Sequence, residues 1–312
     1  MPTFAFVFPG QGSQSVGMLD AWGDHAAVRQ TLDEASDALS EDLARLIREG
    51  PKEQLDLTTN TQPVMLVAGV ACYRAWRAEG GAEPAAVAGH SLGEYSALVA
   101  AGALTLADAL PLVRFRARVM QEAVPVGTGA MAAILGLDAE AVRSGCAQAA
   151  AACGEVVEVA NYNDPKQTVI AGTRAGVDKA CEVLKSMGAK RALPLAVSAP
   201  FHSSLMKPAA ERLRERLARV SITAPRLTVV NDVDVAAPND PHVIRDALYR
   251  QAFGAVRWVE VIGALRARGA THVVECGPGK VLAGMVKRID SELVGASLFD
   301  PASLAEVKGM LA

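Results

Sequence analysis

Short apolar segments with the character of β-strands alternate along this chain with longer segments of helical periodicity. Such alternation is typical of a sheet covered by helices on both faces. The predicted strands of this main body are Thr3–Phe8, Ala85–Ala88, Leu227–Val230 and Thr271–Glu275, and its predicted helices are Leu205–Val220, Val243–Phe253, Val256–Arg268 and Val281–Ile289. We therefore predict an α/β fold with a mostly parallel sheet, in which a glycine-rich loop over Pro9–Gly17 follows the first strand.

The middle of the chain has a different order of elements. In chain order it predicts strand Met131–Leu137, helix Ala139–Ala152, strand Val156–Asn161, strand Thr168–Ala171, helix Arg174–Met187 and strand Arg191–Val197. The order β-α-β-β-α-β is that of a ferredoxin-like unit. It follows Val124–Gly129, a turn-rich segment that suits a hinge. We predict a ferredoxin-like subdomain over residues 128–198, inserted in a larger domain of residues 1–127 and 199–312.

Composition and charge exclude several classes of protein. Hydrophobic residues make up 51% of the 312 residues and charged residues 21%, which indicates a globular chain. The net charge of -3 gives no general electrostatic reason to bind nucleic acid or an anionic membrane. The apolar run Val64–Cys72 is far shorter than the roughly 20 residues that span a bilayer. The five cysteines form no C-x-x-C pair and no zinc-site grouping with histidines. We expect a cytoplasmic protein without a metal site.

Gly89–Gly93 reads Gly-His-Ser-Leu-Gly, the G-x-S-x-G pattern of a nucleophile elbow. In such an elbow a strand turns sharply into a helix and lifts the serine hydroxyl out of the sheet. The apolar run Ala85–Ala88 before it and the helical pattern Glu94–Ala100 after it supply that context. Ser91 is therefore a candidate nucleophile, although its position also suits a serine that only caps the helix.

A serine hydroxyl needs a base to take its proton. His202 is the candidate because it lies in the turn Ser198–Ser204, between a strand and a long helix, and loops at the ends of elements often carry catalytic groups. A capping or solvated histidine is an equally good interpretation of its position. The remaining histidines are His25 in a predicted surface helix, His242 at a helix start, His272 at a strand start and His90 within the elbow. The side chain of His90, the variable residue of the elbow, should point away from the hydroxyl.

One arginine is predicted to face apolar neighbours. In a helix through Leu112–Met120, Arg116 points roughly 200° away from Arg114, over apolar side chains. A guanidinium in such a place usually meets a carboxylate in a bidentate contact. The spacing alone leaves open whether that carboxylate belongs to the protein or to a ligand.

Six motifs in a fixed order extend over essentially the whole chain. They are Phe8–Gln14, Gly89–Tyr95, Arg114–Arg118 with Met120-Gln121, Asn161–Asn163, Phe201–Ser203 and Glu275–Gly279. With these motifs the chain resembles the malonyl-CoA:acyl-carrier-protein transacylases, which are similar to the acyltransferase domains of polyketide synthases. The resemblance implies a large α/β-hydrolase-like domain and the inserted ferredoxin-like subdomain.

The resemblance also implies catalytic roles at the matching positions. Ser91 would be the nucleophile and His202 its base. The backbone amides of Gln11 and Leu92 would form the oxyanion hole, where a flanking loop and the residue after an elbow serine can point N–H groups at a developing charge. The carbonyl of Gln251 would orient the histidine. The fallback candidates for that orienting role are Asp232 and Asp234.

The resemblance also implies which residues form the substrate pocket. Arg116 would hold the free carboxylate of the malonyl group. Gln11, Gln62, Asn161 and His90 would add polar groups, and Phe201 would narrow the pocket at the malonyl α-carbon.

The implied enzyme moves malonyl from malonyl-CoA to the phosphopantetheine thiol of acyl carrier protein in fatty-acid biosynthesis, through a malonyl-serine ester. Coenzyme A is then a substrate. No cofactor is expected, since the chain has neither a P-loop nor a dinucleotide fingerprint. We expect a monomer whose partner is the carrier protein. Three alternatives stay open: an acyltransferase serving a polyketide synthase, a serine esterase or thioesterase, and a non-enzymatic docking module.

Overall fold

The computed structural model describes residues 2–125, 127–197 and 199–312. Val126 of the predicted hinge, and Ser198, which ends the predicted subdomain and opens the turn before His202, lie outside the described residues. The strands are β1 (Phe4–Phe8), β2 (Ala86–Gly89), β3 (Gly129–Leu135), β4 (Val157–Asp164), β5 (Gln167–Thr173), β6 (Arg191–Pro194), β7 (Thr228–Val230), β8 (His272–Cys276) and β9 (Val294–Leu298).

The helices lie between and around these strands. They are α1 (Ala26–Leu39), α2 (Leu43–Glu49), α3 (Lys52–Leu55), α4 (Thr58–Ala78), α5 (Gly93–Ala100), α6 (Leu106–Glu122), α7 (Ala139–Cys153), α8 (Arg174–Ser186), α9 (Lys207–Leu217), α10 (Pro241–Gln251), α11 (Trp258–Ala267), α12 (Val281–Ile289) and α13 (Pro301–Leu311). Short 3-10 helices occupy Asp20–Trp22 and Ser204–Met206. Among the described residues no helix combines the length and the apolar character needed to cross a membrane.

Five strands form a parallel central sheet in the order β7-β2-β1-β8-β9. Every residue of the middle strand β1 is buried. Its three phenylalanines pack on α4 at one face, Phe4 and Phe6 against Trp76 and Phe8 against Tyr73. Ala5 and Val7 pack against residues of α11 and α12 on the other face. A parallel strand covered on both faces explains why the sequence of β1 is continuously apolar.

A separate four-stranded antiparallel sheet has the order β4-β5-β3-β6. Helices α7 and α8 pack on it through one hydrophobic cluster. The first and third strands of the unit pair at its centre, as in a ferredoxin-like fold. The predicted fold class is thereby confirmed, while the exact domain limits stay a prediction. The two parts are joined where Val256 exchanges backbone hydrogen bonds of 2.9 Å with Ala160 and Tyr162 in β4.

The largest differences from the predicted elements lie at the last strand of the subdomain and at the chain ends. The strand predicted over Arg191–Val197 ends at Pro194. The Val197 N–H donates to the Leu195 carbonyl at 2.9 Å, a tight turn that bends the chain out of the sheet. Helices α1 to α4, strand β9 and helix α13 were not among the predicted elements.

Candidate active site

The predicted nucleophile lies in a strained turn between β2 and α5. Ser91 has a left-handed backbone with φ 53°. A Cβ atom on Gly89 would lie 1.9 Å from the backbone of Gly93, and one on Gly93 would lie 2.0 Å from the Phe8 carbonyl oxygen. Only glycine fits at both positions, so strand, turn and helix pack as a nucleophile elbow. Ser91 does not cap the helix, because α5 begins at Gly93 with Leu92 at its N-cap.

His202 is in hydrogen-bonding contact with the serine. Its Nε2 atom lies 2.7 Å from Ser91 Oγ. Its Nδ1 atom lies 3.0 Å from the carbonyl oxygens of both Gln251 and Gly254. Carbonyls only accept hydrogen bonds, so Nδ1 carries the proton and Nε2 is free to accept one from the serine. This is the arrangement that a general base for Ser91 needs.

The surroundings of His202 keep its ring neutral. The side chain is 4% exposed. Burial and the nearby positive charge of Arg116 lower the pKa of His202 to about 3. The imidazole is therefore uncharged at neutral pH, which is the form that takes a proton from a hydroxyl.

The two fallback carboxylates do not orient the histidine. Asp232 accepts a hydrogen bond of 2.7 Å from the Ser91 backbone N–H. Asp234 forms a bidentate ion pair with Arg250. The loop after β7 therefore runs beneath the elbow rather than beside His202, and the fallback hypothesis is wrong. The carbonyl of Gly254 is a further acceptor that the sequence reasoning missed.

The predicted oxyanion residues lie at the same pocket. Gln11 follows β1, Leu92 follows the serine, and both line the cavity. Within the described part of the chain, neither backbone N–H donates a hydrogen bond. The Gln11 side chain is held by a 3.2 Å bond from its Nε2 to Thr58 Oγ1. Two unengaged amides beside a serine can stabilise an oxyanion.

Arg116 reaches the serine from helix α6. It is 1% exposed, and its guanidinium lies over the ring of Tyr95. It donates to Gln62 Oε1 at 2.8 Å, to Gln251 Oε1 at 3.1 Å and to Ser91 Oγ at 3.2 Å. All three acceptors are uncharged, and among the described residues no carboxylate forms an ion pair with it. The internal ion pair that the spacing left open is therefore not formed.

These side chains surround one pocket of about 620 Å³, part of it open to solvent. The predicted residues that line it are Gln11, Gln62, His90, Ser91, Leu92, Arg116, Asn161, Phe201 and His202. Gln251 is fully buried and does not line the pocket, but its side chain accepts a hydrogen bond from Arg116. The sequence reasoning missed the apolar lining residues Met120, Met131, Leu195 and Val197. The i, i+4 spacing from Arg116 places Met120 on the same helix face. The other three lie on a strand and in a turn, and only the tertiary fold brings these to the pocket.

His90 lies at the wall of the pocket and contacts groups other than the serine. Its Nε2 atom lies 2.9 Å from Asn163 Oδ1, and its ring packs against Trp258. Burial lowers the pKa of His90, so it is neutral as well. Asn161 lies on β4 and forms an isolated parallel bridge with Val256 of the main body. The pocket therefore opens between the main body and the ferredoxin-like unit.

A buried polar cluster lies beneath the elbow. The Gln251 side-chain nitrogen donates to the Ser91 carbonyl and to Glu94, each at 3.0 Å. Glu94 also accepts the backbone N–H of Asp232 at 3.0 Å. One signal for this cluster is present in the sequence: a glutamate and a tyrosine directly after the elbow, in a helix whose only other polar residue is Ser96. Gln251 thus connects the elbow, the arginine and the histidine.

Comparison with known proteins agrees with this geometry. The model of the acyl transferase domain matches residues 5–305. The malonyl CoA-acyl carrier protein transacylase of Escherichia coli (strain K12) is 51% identical over 306 residues, which cover 98% of each chain. The crystal structure of an acyl-carrier-protein S-malonyltransferase from Burkholderia pseudomallei 1710b is 66% identical, with a TM-score of 0.97 over 98% of this chain and 99% of that one.

A second similar structure contains a carrier protein. It is a type II PKS acyl-carrier protein in complex with its malonyl-transacylase, and the matched chain is 47% identical with a TM-score of 0.96 over 99% of both chains. The elbow, the serine–histidine contact and the full-length matches lead to one assignment. This chain belongs to the acyl transferase domain family, among the malonyl CoA-acyl carrier protein transacylases.

Proposed function

We propose that this chain transfers a malonyl group from malonyl-CoA to the phosphopantetheine thiol of acyl carrier protein through an ester on Ser91. The observation that carries the proposal is Arg116, a buried guanidinium that donates to Ser91 Oγ and pairs with no carboxylate among the described residues. A buried cation without a counter-ion beside a nucleophile suits an acyl group that brings its own carboxylate. The names of the similar proteins agree with this substrate.

The proposed first half-reaction acylates the serine. His202 Nε2 takes the Ser91 hydroxyl proton, and the oxygen attacks the thioester carbonyl of malonyl-CoA. The amides of Gln11 and Leu92 stabilise the tetrahedral oxyanion. The intermediate collapses to the serine ester, and the histidine returns its proton to the leaving sulfur, so that coenzyme A departs as the thiol.

The second half-reaction reverses these steps with another thiol. The phosphopantetheine thiol gives its proton to His202 and attacks the ester carbonyl. Ser91 leaves as the alkoxide and recovers its proton from the imidazolium. The cycle is of the ping-pong type and, as proposed, uses no metal or redox cofactor. The carrier protein is the proposed partner of a monomeric enzyme.

The pocket favours transfer over hydrolysis of simple esters. A serine esterase or thioesterase needs the same Ser91–His202 contact, but it has no use for an unpaired guanidinium at the nucleophile. We further propose that the enzyme serves fatty-acid biosynthesis in the cytoplasm. The malonyl transfer rate to a fatty-acid carrier, compared with that to a polyketide carrier, separates this role from service to a polyketide synthase.

Intact mass spectrometry tests the proposal. Malonyl-CoA alone should add one malonyl group to the wild-type chain, and holo carrier protein should remove it. Ser91→Ala should acquire no malonyl group, because the hydroxyl that forms the ester is absent. A malonyl adduct on the Ser91→Ala chain would show that another residue is the nucleophile.

A further inference from the structure

Two carboxyl groups are buried beneath the nucleophile. Asp232 is 0% exposed and Glu94 is 2% exposed. Both lie within 3.5 Å of the Gln251 side-chain nitrogen, which is 3.0 Å from Glu94 Oε2 and 3.5 Å from Asp232 Oδ2. The other oxygen of Asp232 is buried and has no hydrogen-bond partner among the described residues. Two carboxylates this close in a buried site cannot both stay ionised at low cost.

The same amide links this pair to the substrate arginine. Gln251 accepts from Arg116 through Oε1 and donates to Glu94 through Nε2. Among the described residues no carboxylate is in direct contact with Arg116, so its positive charge is balanced by carboxyl groups two hydrogen bonds away, through Gln251. A single proton on the pair leaves one negative charge, which neutralises the arginine in the empty pocket.

A malonyl carboxylate changes this balance. When it binds to Arg116, the buried cluster contains one cation and two anions unless a proton is gained. Resting on the function proposed above, we propose that Glu94 and Asp232 form a buried proton acceptor that takes up one proton from solvent when the malonyl carboxylate binds to Arg116. Both residues are then positioning residues, because they act through Gln251 and the Ser91 backbone rather than on the substrate.

Of the titratable groups in this region, the Glu94–Asp232 pair is the one that can accept a proton near neutral pH. Burial raises the pKa of Glu94 to about 7 and raises the pKa of Asp232 well above its ordinary value. His90 and His202, the two histidines that line the pocket, have pKa values lowered by burial, so neither takes up a proton near pH 7.

The charged side chains just outside the cluster have fixed charges. Asp234 and Arg250, from the loop after β7 and from α10, are ion-paired with each other. The hydrogen bonds from Arg250 lower the pKa of Asp234, so it is ionised at neutral pH and cannot act as the acceptor. It therefore provides a matched control carboxylate two residues from Asp232.

The test counts protons and esters in the same reaction. Enzyme is mixed with malonyl-CoA in weakly buffered solution near pH 7 with an indicator dye, and intact mass spectrometry measures the Ser91 ester. Transacylation itself releases no proton while coenzyme A stays a thiol, and an ordinary cysteine thiol titrates only at about pH 8.5. Wild type and Asp234→Asn should take up as much as about one proton per ester, because one of the two carboxyl groups is already protonated in the empty pocket and only the other can gain a proton. The double variant Glu94→Gln/Asp232→Asn, which preserves the shape of both side chains, should take up none.

The outcomes separate this proposal from the proposed function. Complete ester formation without proton uptake in wild type overturns the buried acceptor and leaves malonyl transfer intact. Uptake in the double variant equal to that in wild type also overturns it. If wild type forms no ester, both the buried proton acceptor and the proposed malonyl transfer are refuted. If the double variant does not fold, Glu94→Gln alone must shift the pH at which uptake is greatest, and an unchanged pH profile refutes the proposal.

Discussion

Replacement of Arg116 by alanine should change the acyl group that this enzyme transfers. The guanidinium is 1% exposed and already lies 3.2 Å from Ser91 Oγ, so a malonyl group on the serine would place its carboxylate against a desolvated cation. Removing one partner of such a pair costs about 3 kcal/mol. Since 1.4 kcal/mol is a factor of ten, malonyl transfer should fall by roughly 150-fold. The acetyl group has no carboxylate, so the rate of acetyl transfer should stay unchanged or increase.

The assay is kcat/KM for malonyl-CoA and for acetyl-CoA with the same carrier protein. Arg114→Ala is the matched control, since Arg114 lies on the same helix but binds Glu41 and Asn60 outside the pocket. It should leave the ratio of the two substrates unchanged. Arg116→Lys tests whether bidentate binding is needed, because lysine keeps the positive charge but lacks the planar guanidinium group. An equal fall for malonyl and acetyl transfer in a folded Arg116→Ala protein would show that the arginine is only structural.

Two further predictions concern the base and the pocket wall. His202→Ala should slow ester formation on Ser91 by several orders of magnitude. Because the pKa of His202 is lowered to about 3, wild-type acylation at saturating malonyl-CoA should keep its rate as the pH falls from about 8 to about 5. A loss of this saturated rate centred near the ordinary histidine pKa would contradict the neutral buried ring. Phe201→Ser should raise methylmalonyl transfer relative to malonyl by no more than about 10- to 200-fold, the value of one methyl group. An unchanged ratio of the two kcat/KM values in a folded variant would place that selectivity elsewhere.

The lowered pKa of the buried His202 also makes the free energy of unfolding depend on pH. In the unfolded chain a histidine binds a proton below about pH 6.5, whereas folded His202 does not until about pH 3. The unfolded state therefore binds more protons between these values, and the contribution of His202 to stability is lost as the pH falls through that window. The pH profile of acylation should for this reason be measured only where the chain remains folded.

Much of the fold could be predicted because it is encoded locally. The continuous apolar run of β1, the β-α-β-β-α-β order and the helix α12 follow from the periodicity of neighbouring residues. The elbow was predictable for the same reason, since the glycines, the serine and the flanking elements are contiguous. The end of β6 was not predictable, because the turn at Leu195–Val197 belongs to the wall of the pocket rather than to a repeating pattern.

The sequence by itself determined the identity of the chemical groups: a serine in an elbow, a histidine in a turn and an arginine on an apolar helix face. Only the tertiary structure decided which groups meet. Ser91 and His202 are 111 residues apart, and the Gln251 side chain contacts the Ser91 carbonyl across 160 residues. Periodicity gave no reason to prefer the carbonyls of Gln251 and Gly254 over Asp232 as partners of the histidine. Local patterns specify elements through neighbouring residues, whereas the pairing of side chains depends on how distant elements pack around a common core.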